Sequence, residues 1–127
     1  MANPQKRKGD DAEREIAAKL TNELGFHVQR KLGAGRKEDT GDLYGIPDTV
    51  VQVASWADVS RAALTKSKDA EQQRINAAAT FAATAVRFPR GEWRIVMTVD
   101  QFATYVRNSL PCPACTTVPA PSRYQNK

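Results

Sequence analysis

Cysteine is nearly absent from this sequence: the two residues, Cys112 and Cys115, lie close together in a proline-rich stretch near its end. Such a pair cannot staple a small domain, and structural zinc wants four ligands, so Cys112 and Cys115 read as an unligated pair rather than a disulfide framework or a finger. Aromatic residues are scarce too, at 7% of the chain. Ala, Val, Ile and Leu must therefore fill the interior, which favours helices packed closely on a sheet. No apolar run approaches the roughly 18 to 20 residues of a membrane span, and residues 1–9 are polar and basic with no apolar stretch behind them. The expectation is a soluble, cytoplasmic protein, neither secreted nor inserted. The run Gly33-Ala34-Gly35 lacks the continuation of a nucleotide-binding loop, whether GxGxxG or Gly-Lys-Ser/Thr.

What is present suits a single core. The chain has 127 residues, of which 41% are hydrophobic, and a second core would leave too few residues for each. Residues 10–110 are expected to form it, with a flexible basic N-terminus at 1–9 and a disordered proline-rich tail at 111–127. Nineteen Lys and Arg against fourteen Asp and Glu leave a net charge of +5. That excess suits an anionic partner without requiring one.

The periodicity predicts alternating helices and strands. Asp10 followed by Glu13 is a capping-box pattern, and Ala12, Ile16, Leu20 and Leu24 then recur every four residues before Gly25, so a helix is expected over 10–24. A strand is expected over 26–32, then a charged glycine-rich loop over 33–41. Asp42-Leu43-Tyr44 and the valine-rich 50–54 read as strands around a turn at 45–48, the second at the centre of the sheet. Residues 56–79 read as a short helix and a longer one, broken near Lys66-Ser67-Lys68. Two strands, 81–88 and 93–98, flank a hairpin turn at 89–92, and a helix over 100–110 closes the fold through Phe102, Val106 and Leu110. The expected class is α/β, a mixed central β-sheet flanked by helices.

Polar residues stand out against this pattern. Gln52 lies inside the valine strand, where an unpaired amide costs roughly 1 to 3 kcal/mol. Arg30, Lys31, Arg36 and Lys37 flank the glycine loop and suit sequence-independent contact with DNA phosphates. Glu71-Gln72-Gln73-Arg74 reads as an exposed helical face. His27 has no partners in the sequence for metal or acid–base work.

Lys8-Gly9 followed by Glu13-Arg14-Glu15, Gly25-Phe26, the basic loop leading to Gly41-Asp42, and the turn before the valine strand carry a resemblance. In that order they resemble the PD-(D/E)xK nuclease superfamily, and within it the Holliday junction resolvase branch, over residues 8–105. The resemblance implies a restriction-endonuclease-like core and a metal-dependent, structure-selective endonuclease acting on branched or junction DNA as a homodimer. Carboxylates are hard oxygen ligands for Mg²⁺ or Mn²⁺, which would polarise the phosphodiester and activate water. The implied catalytic and metal positions are Glu13, Asp42 and Gln52, with Ala54 where the family has its lysine.

Two of these four positions depart from the family, because Gln52 replaces an acid and Ala54 a lysine. A lysine supplied from elsewhere, Lys37, Lys66 or Lys68, would be needed to complete the site. The alternative function is a catalytically inactive nuclease-fold protein that binds DNA or a partner. Asp48 stands in a literal Pro-Asp, but its tight turn accounts for it, and Asp42 is preferred.

Overall fold

The computed structural model describes residues 4–31 and 41–111. Helix α1 (Pro4–Leu24) leads into the short strands β1 (Gln29–Arg30) and β2 (Leu43–Tyr44) and then β3 (Thr49–Ala54). Helix α2 (Val59–Ala77), β4 (Phe81–Phe88), β5 (Glu92–Val96) and α3 (Val99–Ser109) follow. The strands form one sheet in the order β1-β2-β3-β4-β5, in which only β3 and β4 run parallel. The fold is thus α/β with a mixed five-stranded sheet, and β3 lies at its centre as the valine run implied.

The pleat divides β3 between two cores. Val51 and Val53 pack with Ala12, Ile16 and Ala17 of α1, with Val28 and Leu43, and with Ala85. On the opposite face Ala54 packs with Val86 and Ala62 of α2. Ala62 and Ala70 are essentially inaccessible, so α2 packs closely on the sheet at these two methyls, and Gln73 is the third buried residue of the helix. Scarce aromatics and abundant alanine have this consequence: no aromatic residue is fully buried among the described residues.

Several expectations are corrected. Helix α1 starts at Pro4 and not at Asp10, and a proline suits a first turn whose N–H would be unpaired anyway. Asp10 and Glu13 therefore lie within the helix and cap nothing; their carboxylates turn to Arg30 instead. The strand expected over 26–32 shrinks to Gln29–Arg30, because the Val28 backbone is tied to the Thr21 hydroxyl. Helix α2 is unbroken through Lys66-Ser67-Lys68, which contains neither glycine nor proline, and the Ser67 hydroxyl donates to the Leu64 carbonyl within the helix.

Helix α3 does not close the core through its apolar stripe. Phe102, Val106 and Leu110 are exposed, and a polar side chain makes the attachment. Gln101 accepts from the Ala82 N–H at 2.6 Å and donates to the Glu71 carboxylate at 2.8 and 3.1 Å. The same bonds correct the reading of residues 71–74 as an exposed face: Glu71 also holds Arg74, and Gln73 is buried. The expected disordered tail, with Cys112 and Cys115, lies outside the described residues apart from Pro111.

Candidate functional site

Strand β2 begins at Leu43, opposite Val51, so β3 runs on beyond its neighbour's start. Asp42 fills that gap. Its backbone N–H donates to the Val51 carbonyl and its carbonyl accepts from the Lys31 N–H, both at 2.8 Å. Its Oδ2 accepts from the Val53 N–H at 2.9 Å, so a side chain completes the ladder where backbone is missing. Gly41 permits this close approach: at φ +103°, an added Cβ would lie 2.8 Å from Val50 Cγ1 and 3.0 Å from the Val51 carbonyl oxygen.

Glu13, on α1, shares this neighbourhood. Its carboxyl is pushed above its ordinary value of 4.5, first by burial and then by the Asp42 charge, while Arg30 opposes the shift. Arg30 Nε donates to Glu13 Oε1 at 3.1 Å, and Arg30 Nη2 donates to Asp10 Oδ1 at 2.9 Å. Only 17% of the Arg30 side chain is exposed. The guanidinium is thus an internal cation held by two carboxylates, and does not stand out from the surface as a phosphate contact would.

Gln52 lies elsewhere. Alternation along β3 turns it with Ala54 towards α2, away from the α1 face, and in register with Thr84 of β4. It is 4% exposed, and its Oε1 has no hydrogen-bond partner among the described residues. Thr84 Oγ1 beside it is likewise buried and unpartnered. The structure brings Glu13 and Asp42 together and leaves Gln52 on the other face.

The lysines proposed as replacements are differently engaged. Lys66 Nζ lies 6.0 Å from the Trp56 ring centroid, and Lys68 borders a small cavity with Thr84, Val96 and Thr98 between α2 and the sheet, on the face opposite Glu13. Lys37 and Arg36 lie outside the described residues. Asp48 behaves as the turn residue it was taken for: at φ 55° it accepts from the Thr80 N–H at 2.9 Å, and the Thr80 hydroxyl first, then this N–H, hold its carboxyl below the ordinary range.

A divalent metal is poorly served by this donor set. Glu13 and Asp42 are suitable oxygen donors, but the third position points away and the Arg30 guanidinium already engages Glu13 and Asp10. Among the described residues no group of three or more His, Cys, Asp or Glu side chains is placed to hold a metal ion. Sequence reasoning missed Asp10 as part of the cluster, although its spacing of three from Glu13 puts both on one helical face. In comparisons with known proteins, no family model, curated protein or solved structure matches the chain.

Proposed function

We propose that this chain is a nuclease-fold protein of the Holliday junction resolvase kind that binds branched DNA without cutting it. The order α1, three strands, α2, then two more strands supports a restriction-endonuclease-like core. The observation that carries the non-cleaving reading is the Arg30 guanidinium bound to Glu13 and Asp10, beside Asp42. In an active nuclease of this family that charge would come from the metal, and a lysine would stand at Ala54. Here an arginine balances the carboxylates permanently, and position 54 carries only a methyl group.

DNA binding rests on the net charge of +5 and on the basic residues around the 33–41 loop, Lys31, Arg36 and Lys37. Assembly as a homodimer fits the exposed apolar side chains of α3, Val99, Phe102, Tyr105 and Leu110, and Ile95 on β5. Among the described residues no helix is long and apolar enough to cross a membrane.

Titrating the protein against a labelled four-way junction and a duplex of equal length, at several salt concentrations, tests the binding. Binding should weaken steeply with salt, and Arg36→Ala with Lys37→Ala should lower the salt slope by about two units. A slope unchanged by the double replacement would remove that loop from the interface. Sedimentation of Phe102→Asp beside the native chain tests the dimer: the variant should be monomeric where the native chain is not.

A further inference from the structure

We infer that the proline-rich segment Val118-Pro119-Ala120-Pro121 of this chain lies in the apolar groove between α1 and α3, as an extended strap across the open part of the sheet. The occupancy is independent of whether the chain binds DNA. Val51, Ala83 and Ile95 share the sheet face on which α1 packs, but α1 ends at Leu24 and leaves that face uncovered towards β5, where Ile95 is exposed. Helix α3, held by Gln101 rather than by its apolar stripe, forms the opposite wall. The groove has a volume of about 650 Å³, with Leu20 and Leu24 on one side, Phe102 and Tyr105 on the other and Phe81 between them.

The described chain runs out beside this groove. Asn108 and Ser109 line its end, and Leu110 leaves α3 at φ −77° and ψ 148°, the angles of a polyproline helix, with Pro111 next. Residues 112–117 give the chain room to turn back. The wall of α3 from Phe102 to Ser109 is about 10 Å long at the helical rise of 1.5 Å per residue. A polyproline segment rises about 3.1 Å per residue, so the four residues from Val118 to Pro121 match that length. Such segments make no internal hydrogen bonds and are recognised by aromatic-lined grooves. Phe81 and Tyr105 supply that lining, meeting edge to face with ring centroids 6.5 Å apart, and the exposed Asn108 brings an amide to the rim. A segment too polar to build a core of its own thus finds apolar walls for its few apolar side chains. A second copy fits the groove less well, since a two-fold contact sets the same patch against itself and would bring one concave surface to another. The outer stripe of α3, Val99, Val106 and Leu110, lies outside the groove and stays free for the dimer proposed above.

The test uses the full chain with Cys112→Ser, Cys115→Ser and Arg123→Cys, carrying a nitroxide at position 123, and reads paramagnetic broadening of backbone amide signals. A docked segment runs back along α3, so Ile95, Met97 and Phe102 should lose most of their intensity, more than Asn108 and Ser109 at the root of the tail. Adding Val118→Asp should restore those signals and raise the fluorescence of a dye that binds exposed apolar surface. Unlabelled ¹⁵N chain mixed with nitroxide-labelled ¹⁴N chain should show no broadening at the groove. Broadening greatest at Asn108 and Ser109, or a pattern unmoved by Val118→Asp, would overturn the proposal. Broadening at the groove in the mixed sample would assign it to a second copy's tail and overturn the proposal equally.

Discussion

Removing the Arg30 guanidinium leaves Glu13, Asp10 and Asp42 near one another with their shared cation gone. Arg30→Ala should therefore lower stability by about 2 kcal/mol at pH 7, as expected for charge-assisted bonds in a part-buried setting. Chemical denaturation at several pH values checks this, and the loss should shrink in acid as Glu13 becomes neutral. Glu13 itself titrates above its ordinary value of 4.5, so the folded chain holds that proton more tightly than the unfolded chain does. The stability it contributes is complete below about 4.5 and is lost as pH rises through the higher folded value. Glu13→Gln should accordingly be at least as stable as the native chain at pH 7 and show a flatter stability profile above pH 4.5. A marked loss of stability at pH 7 would mean that the Arg30 bond outweighs burial and the Asp42 charge. Glu13 and Asp42 were legible through the order of elements and the resemblance it carried, which implied a first-helix acid beside a strand acid. The inward turn of Arg30 was not, since Arg30 stands beside Lys31 and a charged loop and reads as one more surface cation.

Among the elements, β3, β4, β5 and the turn between the last two were legible, because the valine run of β3 and the β-branched and aromatic residues either side of Pro89-Arg90-Gly91 have few alternatives. Boundaries failed where tertiary bonds decided them. The start of α1 moved to Pro4, and β1 was cut short where the Thr21 hydroxyl takes the Val28 backbone. The stripe on α3 misled for another reason: helical periodicity shows that a face is apolar and says nothing about what covers it. Helix α2 ends with a residue that local geometry disfavours. Ala78 sits at φ 53° and ψ 39°, with its N–H bonded to carbonyls of the last turn, a left-handed position where glycine is usual. Ala78→Gly should raise stability by about 1 kcal/mol, read as a higher melting temperature in calorimetry. An unchanged or lower melting temperature would show that the unfolded-state entropy of glycine outweighs the relieved strain.

For the whole molecule, the α/β class and the mixed sheet followed from the alternation of helical and strand patterns, while the state of the candidate site required coordinates. Sequence alone identified Gln52 as a buried amide needing a reason, and suggested metal or hydrogen bonding as the reason. The structure gives neither among the described residues: Oε1 of Gln52 lies unpartnered beside Thr84 on the α2 face. A one-residue alternation separates that face from Glu13, so the three positions that the resemblance implied, Glu13, Asp42 and Gln52, do not converge in this chain. The most direct test of binding without cleavage is incubation of the purified chain with an end-labelled four-way junction in Mg²⁺ or Mn²⁺. Native and denaturing gels would then be run from the same reaction. The account predicts a retarded junction on the native gel and full-length strands on the denaturing gel with either metal. Shortened strands that depend on the metal and disappear in Asp42→Asn would contradict it.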